Sequence, residues 1–421
     1  MRSTTDIDRV AAYMRDLGAD PGAVRAAIWQ LGPDDLTPYG FDAYQLNLAS
    51  LFGYRWSHER TRQVAAECAR RRLWEGWACH VFIRTLKQRL AATTSTGEAR
   101  SIMELAIHLR GWNESGLDEF ARRGGIICSF HLGAFRHTFI DLMLRGYSVA
   151  QPFDDHAFGS FSLSFDGMYA PLRERVRFVN VEREQGRSVL AEALREGRLI
   201  VAFLDGNTGT DGPRSMHGRS SIQFGGYEIR VKHGLAKLAI AHGVPLIPLF
   251  AAQEPDGHYH VSVDEPIQPP PPTASQEKQQ EFVRAAMQQL YSALETRVSR
   301  YPEQWESVAR LHQWRPECAE PREPAPRERS RAELFSDGRA VRLDERHLVR
   351  LGPAEDRYWV DVRTLRAYRP RPGAEDLIAQ LQAPCGVSPR WLASRFGDAE
   401  WHDRVLSMLG ELGERGALVP V

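Results

Sequence analysis

Ile126-Ile127-Cys128-Ser129-Phe130-His131-Leu132-Gly133-Ala134-Phe135-Arg136-His137 carries two structural signals in succession. The apolar run before His131 reads as a short buried strand, and Gly133 marks a turn into a helix over Thr138–Arg145. A histidine at such a junction is fixed by a rigid strand and left accessible by the turn, which suits a general base. A core-edge histidine satisfied by backbone groups has the same appearance in sequence.

Outward from this segment, strands alternate with helices. Strands are expected at Ser148–Gln151, Arg175–Val179, Leu199–Leu204, Val244–Ala251 and Tyr259–Val263, and helices at Arg187–Glu196, Lys232–His242 and Gln276–Ser299. This alternation implies an α/β fold class, with a layered, mostly parallel-sheet domain over 121–316. Pro245 and Pro248 allow a second reading of Val244–Ala251, as a sheet edge.

Residues 1–120 read as a helical N-terminal region. Within it, His58-Glu59-Arg60 open a long amphipathic helix to about Arg89, and Arg70-Arg71-Arg72 read as solvated helix residues. Pro269–Pro272 is a stiff spacer, and 317–331 reads as a linker rich in Pro, Glu and Arg. Residues 332–421 read as a separate module. Its strands are expected at Val341–Leu343, Leu348–Leu351 and Tyr358–Val362, with three helices after them and a closing strand at Leu418–Val421. That order suggests a small winged-helix-like domain.

Lys+Arg and Asp+Glu number 54 each, so the formal net charge is zero. The whole chain therefore has no electrostatic grip on nucleic acid or on an acidic membrane, and no nucleic-acid partner is expected. Cys68, Cys79, Cys128, Cys318 and Cys385 show neither metal-ligand spacing nor a disulfide framework. No metal is expected, and a reducing, cytoplasmic compartment is. Neither a signal peptide nor an apolar run of about 18 residues is evident. The expectation is a soluble chain with at most peripheral membrane contact.

Three later features join His131 as candidates. Asp205-Gly206 ends an apolar strand, where ligands gather in open α/β sheets. Ser221–Tyr227 runs into the turn Gly225-Gly226, and Gly234-Leu235-Ala236-Lys237-Leu238-Ala239 leads through His242-Gly243 to Pro245-Leu246-Ile247-Pro248. Arg173, Arg175, Arg183, Arg187, Arg214, Arg219 and Arg230 add positive charge to the same region. A turn aspartate, turn glycines and surface arginines are the plain alternatives.

Leu46-Asn47-Leu48 and Trp56-Ser57-His58-Glu59-Arg60 precede these segments, and Tyr301-Pro302-Glu303-Gln304-Trp305 and Trp314-Arg315-Pro316 follow them. Taken in order, all of them resemble the lysophospholipid acyltransferase superfamily, and within it the late lipid A lauroyl and myristoyl transferases. The resemblance covers about residues 43–316. It implies transfer of an acyl group from a thioester, acyl-CoA or acyl carrier protein, with no bound cofactor. A histidine, here His131, takes the acceptor's proton, and an acid five positions later holds its ring. Basic residues, here Arg183 and Arg219, meet phosphate or carrier groups. The lipid A enzymes usually carry an N-terminal membrane anchor, and none is expected here.

Arg136 stands where the resemblance places the acid. A guanidinium cannot orient an imidazolium as a carboxylate does. Three outcomes follow. Asp205 supplies the carboxylate from a neighbouring strand end, which ranks first because strand ends converge at one sheet edge. His137 and Asp141, four apart on the new helix, form a shifted pair. Or the fold is repurposed, non-catalytic, and binds a peptide or lipid. Arg136, Arg183, Arg219, Gly225 and Gly226 are the substrate-binding candidates.

The C-terminal module resembles a PqqD-like peptide-recognition domain through Asp361-Val362, Leu377 to Leu381, Leu409, Leu412, Gly416 and Leu418. That resemblance implies a precursor peptide bound as an added strand. A DNA-binding winged helix using Arg390, Trp391 and Arg395 and a dimerisation module are the alternatives. The combined expectation is an acyltransferase of natural-product biosynthesis acting on a peptide or small-molecule acceptor.

Overall fold

The computed structural model describes residues 21–53, 55–91, 95, 97–98, 109–111, 116–117, 124–155, 157–158, 173–183, 186–206, 218–255, 258–316, 338–344, 348–352, 357–368, 375–396, 399–414 and 417–421. The chain divides into two compact units. One takes 1–31, 67–224 and 229–316, and the other takes 32–66, 225–228 and 317–421.

A seven-stranded sheet organises the first unit. Its strands are β1 (Leu109–Arg110), β2 (Gly125–Ser129), β3 (Val149–Phe153), β4 (Val176–Asn180) and β5 (Leu199–Phe203). After the hairpin of β6 (Arg219–Phe224) and β7 (Tyr227–Lys232), β8 (Leu246–Gln253) and β9 (Tyr259–Val263) complete it, in the order β1-β9-β8-β2-β5-β3-β4. The pairs β1–β9, β2–β5, β2–β8, β3–β5 and β3–β4 are parallel, and β8–β9 is antiparallel. Ile126-Ile127-Cys128 and Leu199-Ile200-Val201-Ala202 are buried throughout. Unbroken apolar runs of this kind are what a parallel sheet covered on both faces requires. Helix Phe135–Leu144 packs on β3 and β8, Gly186–Arg195 on β4 and β5, and Gly234–His242 on β2.

Two expectations change. Val244–Ala251 is not an edge, because β8 lies between β2 and β9. Its prolines are tolerated because the β2 ladder stops at the Cys128–Pro248 pair, where no amide hydrogen is available. Lys232 ends a strand, and the helix expected from that residue begins at Gly234.

The long helix Gln276–Arg300 starts at Ser275, whose side chain accepts from the Lys278 amide. Val283, Ala286, Met287, Leu290, Tyr291, Leu294 and Val298 form its buried stripe. Gln288 holds β6 by a two-way amide bond to Gln223, at 2.8 and 2.9 Å.

The helix expected from His58 runs to Ala91. Its arginines are not all solvated. Arg70 Nη2 donates to the Leu31 carbonyl at 2.7 Å, and Arg71 Nε to Glu75 at 2.9 Å.

In the second unit, β10 (Val341–Leu343) is followed by the three-stranded antiparallel sheet β11 (Leu348–Leu351), β12 (Tyr358–Asp361) and β13 (Ala367–Tyr368). Helices follow at Glu375–Gln382, Pro389–Arg395 and Ala399–Glu414, and β14 (Leu418–Pro420) returns to pair with β10. Strand alternation gives the three-stranded sheet two apolar faces. Leu348 and Trp359 pack with Leu377, Leu381, Leu392, Val405 and Leu409 of the helices. Val349, Leu351, Val360 and Val362 pack with Leu46 and Ala49, on helix Phe41–Phe52.

Ser50 Oγ donates to the Val362 carbonyl at 3.2 Å, and Asp42 accepts from the Gly352 amide at 3.0 Å. The C-terminal residues thus share a core with a helix some 300 positions earlier in sequence. Gly225 and Gly226, the β6–β7 turn, have φ of +59° and +82°. Positive φ at both central residues is the tight-hairpin geometry that glycine serves best. The proposed linker at 317–331 lies outside the described residues.

Candidate active site

The register of two strands builds the site. β2 and β5 pair in parallel with Ser129 opposite Phe203. Two residues further on, His131 and Asp205 emerge side by side at the C-terminal edge of the sheet. Asp205 Oδ1 lies 2.7 Å from His131 Nδ1, and its two oxygens also accept from the His131 amide at 3.0 and 3.1 Å. Oδ2 accepts from the Trp305 indole Nε1 at 2.8 Å.

Asp205 is fully buried. Burial pushes its carboxyl up, but the charge and hydrogen bonds of His131 and the indole of Trp305 outweigh it, and the net shift is downward. An ionised carboxylate only accepts, so His131 Nδ1 carries the proton. In the neutral ring the lone pair then sits on Nε2, facing away from Asp205. His131 keeps 21% of its side chain exposed.

The backbone and ring of the histidine are both braced. A strap, Gln304–Glu306, runs along the turn. The Glu306 amide donates to the His131 carbonyl at 2.9 Å, and the Gly133 amide donates to the Gln304 carbonyl at 3.0 Å. Gln304 is locked to Gln253 by two bonds of 2.7 Å. Phe135 packs edge-on to the imidazole at 4.6 Å, and Phe203 lies 5.1 Å away. Trp305 is itself packed between Phe224 and Trp314.

Gly133 has φ +57°, and a Cβ there would collide with the Ala251 carbonyl oxygen, which accepts from the Ala134 amide at 2.8 Å. Gly133→Ala should therefore lower unfolding stability by about 2 kcal/mol or more, read in denaturant melts. The amides of Gly133 and Ala134 are both engaged within the fold, so neither is a ready donor to an oxyanion.

The other candidates fall elsewhere. His137 is on the helix behind the turn. Burial, then the charge of Arg136, pushes its ring down to about 3. A ring of such low basicity is a weak proton acceptor. Asp141 receives Arg145 Nε at 3.1 Å. Arg183 is exposed, 3.7 Å from the equally exposed Asp155. Arg219, read as a surface residue in the plain alternative, is buried at the start of β6. Gly225 and Gly226 are accounted for by their turn. Arg214 and 207–217 as a whole lie outside the described residues, as does the Arg187 side chain.

Arg136 is a half-buried cation. Its Nη2 lies 2.6 Å from Glu306 Oε2 and its Nη1 3.7 Å from Glu75 Oε2. Its guanidinium sits 4.2 Å over the Phe135 ring. Trp305, Glu306 and Glu75 join the site without having been candidates in the sequence. The only signal was that Trp305 ends the closing segment Tyr301–Trp305, which says nothing of its partner a hundred residues earlier.

Among the described residues no group of three or more His, Cys, Asp or Glu is placed to hold a metal ion, and no helix is long and apolar enough to cross a membrane. A family model described as bacterial lipid A biosynthesis acyltransferase matches residues 45–314. A comparison with curated proteins gives no match.

Proposed function

This chain belongs to the bacterial lipid A biosynthesis acyltransferase family, and we propose that it moves a fatty acyl group from acyl-CoA or acyl carrier protein to a hydroxyl or amine of a peptide or small-molecule acceptor, in the cytoplasm and in natural-product biosynthesis. The observation that carries this reading is the buried Asp205 bonded at 2.7 Å to His131 Nδ1, with Nε2 left for the acceptor.

His131 Nε2 takes the acceptor proton as the acceptor's oxygen or nitrogen attacks the thioester carbonyl. Asp205 stabilises the imidazolium that forms. The tetrahedral intermediate collapses, the C–S bond breaks, and the imidazolium returns its proton to the departing thiolate. The products are the ester or amide and a free thiol, and His131 ends as it began. Asp205 here takes the part that the family gives to the acid five positions beyond the histidine. The non-catalytic alternative rested on the loss of that acid, and a carboxylate from β5 weakens it.

For the acceptor we propose a precursor peptide taken up by the C-terminal residues. The support is resemblance together with a short antiparallel sheet whose last strand, β13, is a sheet edge with Ala367 exposed. The whole chain is the proper test object, because β11 and β12 share their core with helix Phe41–Phe52.

The test is thiol release from long-chain acyl-CoA and from acyl carrier protein, with and without amine or alcohol acceptors. Acceptor-dependent release supports the reading. No release from either donor sinks it. Co-sedimentation with liposomes and acylation of a membrane lipid would move the acceptor from peptide to lipid.

A further inference from the structure

The strap that brings Trp305 to Asp205 is pinned at its next residue. The Glu306 amide donates to the His131 carbonyl at 2.9 Å, and its carboxylate accepts from Arg136 Nη2 at 2.6 Å. Arg136 lies over the Phe135 ring, and that ring packs against the imidazole. Arg136 therefore reaches His131 by two routes, through an aromatic ring and through the backbone of the strap. We propose that Arg136 and Glu306 are a positioning pair, which holds the strap on His131 and balances the negative charge around it. Its catalytic consequence rests on the acyl-transfer reading.

The charges facing His131 come from several elements. Asp205 faces it from β5, Glu306 from the strap, and Arg136 from its own helix. Helix His58–Ala91 contributes Glu75, Arg71 and Arg72 behind them. Burial pushes Glu306 up, but Arg136 and then His131 pull it below its ordinary value, so it stays ionised. Burial pushes Glu75 up, against Arg71 and Arg136, with Glu306 adding to the rise. Arg136 is thus the cation that lets a second carboxylate stand close to the dyad. An acid at position 136 would meet Glu306 and Glu75 as a like charge. The resemblance places an acid at this position, and the cation that stands here pairs with Glu306.

The experiment is an NMR titration of the His131 ring in the full chain, alongside the pH profile of kcat/KM. Arg136→Gln should move the titration midpoint up and Glu306→Gln should move it down, each by on the order of half a pH unit. The double variant should return close to the parent. Both single variants should lose kcat by about tenfold with KM little changed, since a positioning pair acts through the base in the transition state. Arg136→Lys should keep the midpoint but recover only part of kcat, because an ammonium lacks the guanidinium fork.

Single variants that fold yet leave the midpoint in place, or shift it in the same direction, would overturn the proposal. Should Arg136→Gln fail to fold, an unmoved midpoint in Glu306→Gln has the same force. The ring titration needs no turnover. A parent that releases no thiol therefore defeats the functional reading, while the midpoints still judge the pair.

Discussion

Replacing His131 with alanine should reduce acyl transfer by about a thousandfold, within the range that general-base catalysis contributes. The change removes the Nε2 lone pair that accepts the acceptor's proton. It also takes the Nδ1 partner from the buried Asp205, while the His131 amide and carbonyl stay in place to bind Asp205 and Glu306. KM for the thioester should change little, since His131 acts in the transition state. Circular dichroism and a denaturant melt on the same sample separate lost chemistry from lost fold. Acyl transfer by a folded His131→Ala variant at the parental rate would remove His131 from the mechanism.

Asp205→Asn should have a larger combined effect. The amide is nearly the same shape, but it presents one oxygen where two carboxylate oxygens now receive the His131 amide, His131 Nδ1 and Trp305 Nε1. At least one buried donor loses its acceptor, at a cost of about 1–3 kcal/mol. The NH2 group can also turn toward Nδ1, which forces the imidazole into the tautomer with its lone pair buried. Turnover should fall by about 10²- to 10⁴-fold, as expected when a dyad's carboxylate is neutralised.

The same residue predicts an acid limit for the fold. Its folded carboxyl lies below the 3.8 of the free group. An acid depressed on folding stabilises the native state above its unfolded value and loses that contribution as pH falls through its folded one. The parent should therefore lose stability more steeply than Asp205→Asn below about pH 4, which parallel urea melts would show.

The central strands β2, β5 and β8 are legible as short unbroken apolar runs, and Tyr259–Val263 has the bounds that its alternation implies, whereas Leu109–Arg110 falls in a region that reads as helical. Asp205 could be ranked first by a simple topological fact, that parallel strands deliver their C-terminal residues to one edge. Its partner Trp305 could not, because a contact spanning a hundred residues leaves no local pattern.

The helix Phe41–Phe52 shows a different limit. Nearly all of its residues are buried. Burial on more than one face is a hint that more than one layer covers it. Nothing in residues 41–52 reveals that one of those layers is made of Val349, Leu351, Val360 and Val362. The plain reading of Arg219 failed because an arginine in a strand carries no mark of burial. Arg136 looked like the loss of an acid. It stands instead in an ion pair whose other half, Glu306, is visible only in three dimensions.

The most direct test of the dyad is single-turnover thiol release from an acyl thioester by the parent and by Asp205→Asn, at equal concentration and with both shown to be folded. The dyad predicts rapid release by the parent and release slowed at least a hundredfold in the variant. A folded Asp205→Asn that releases thiol within a few-fold of the parental rate would contradict it.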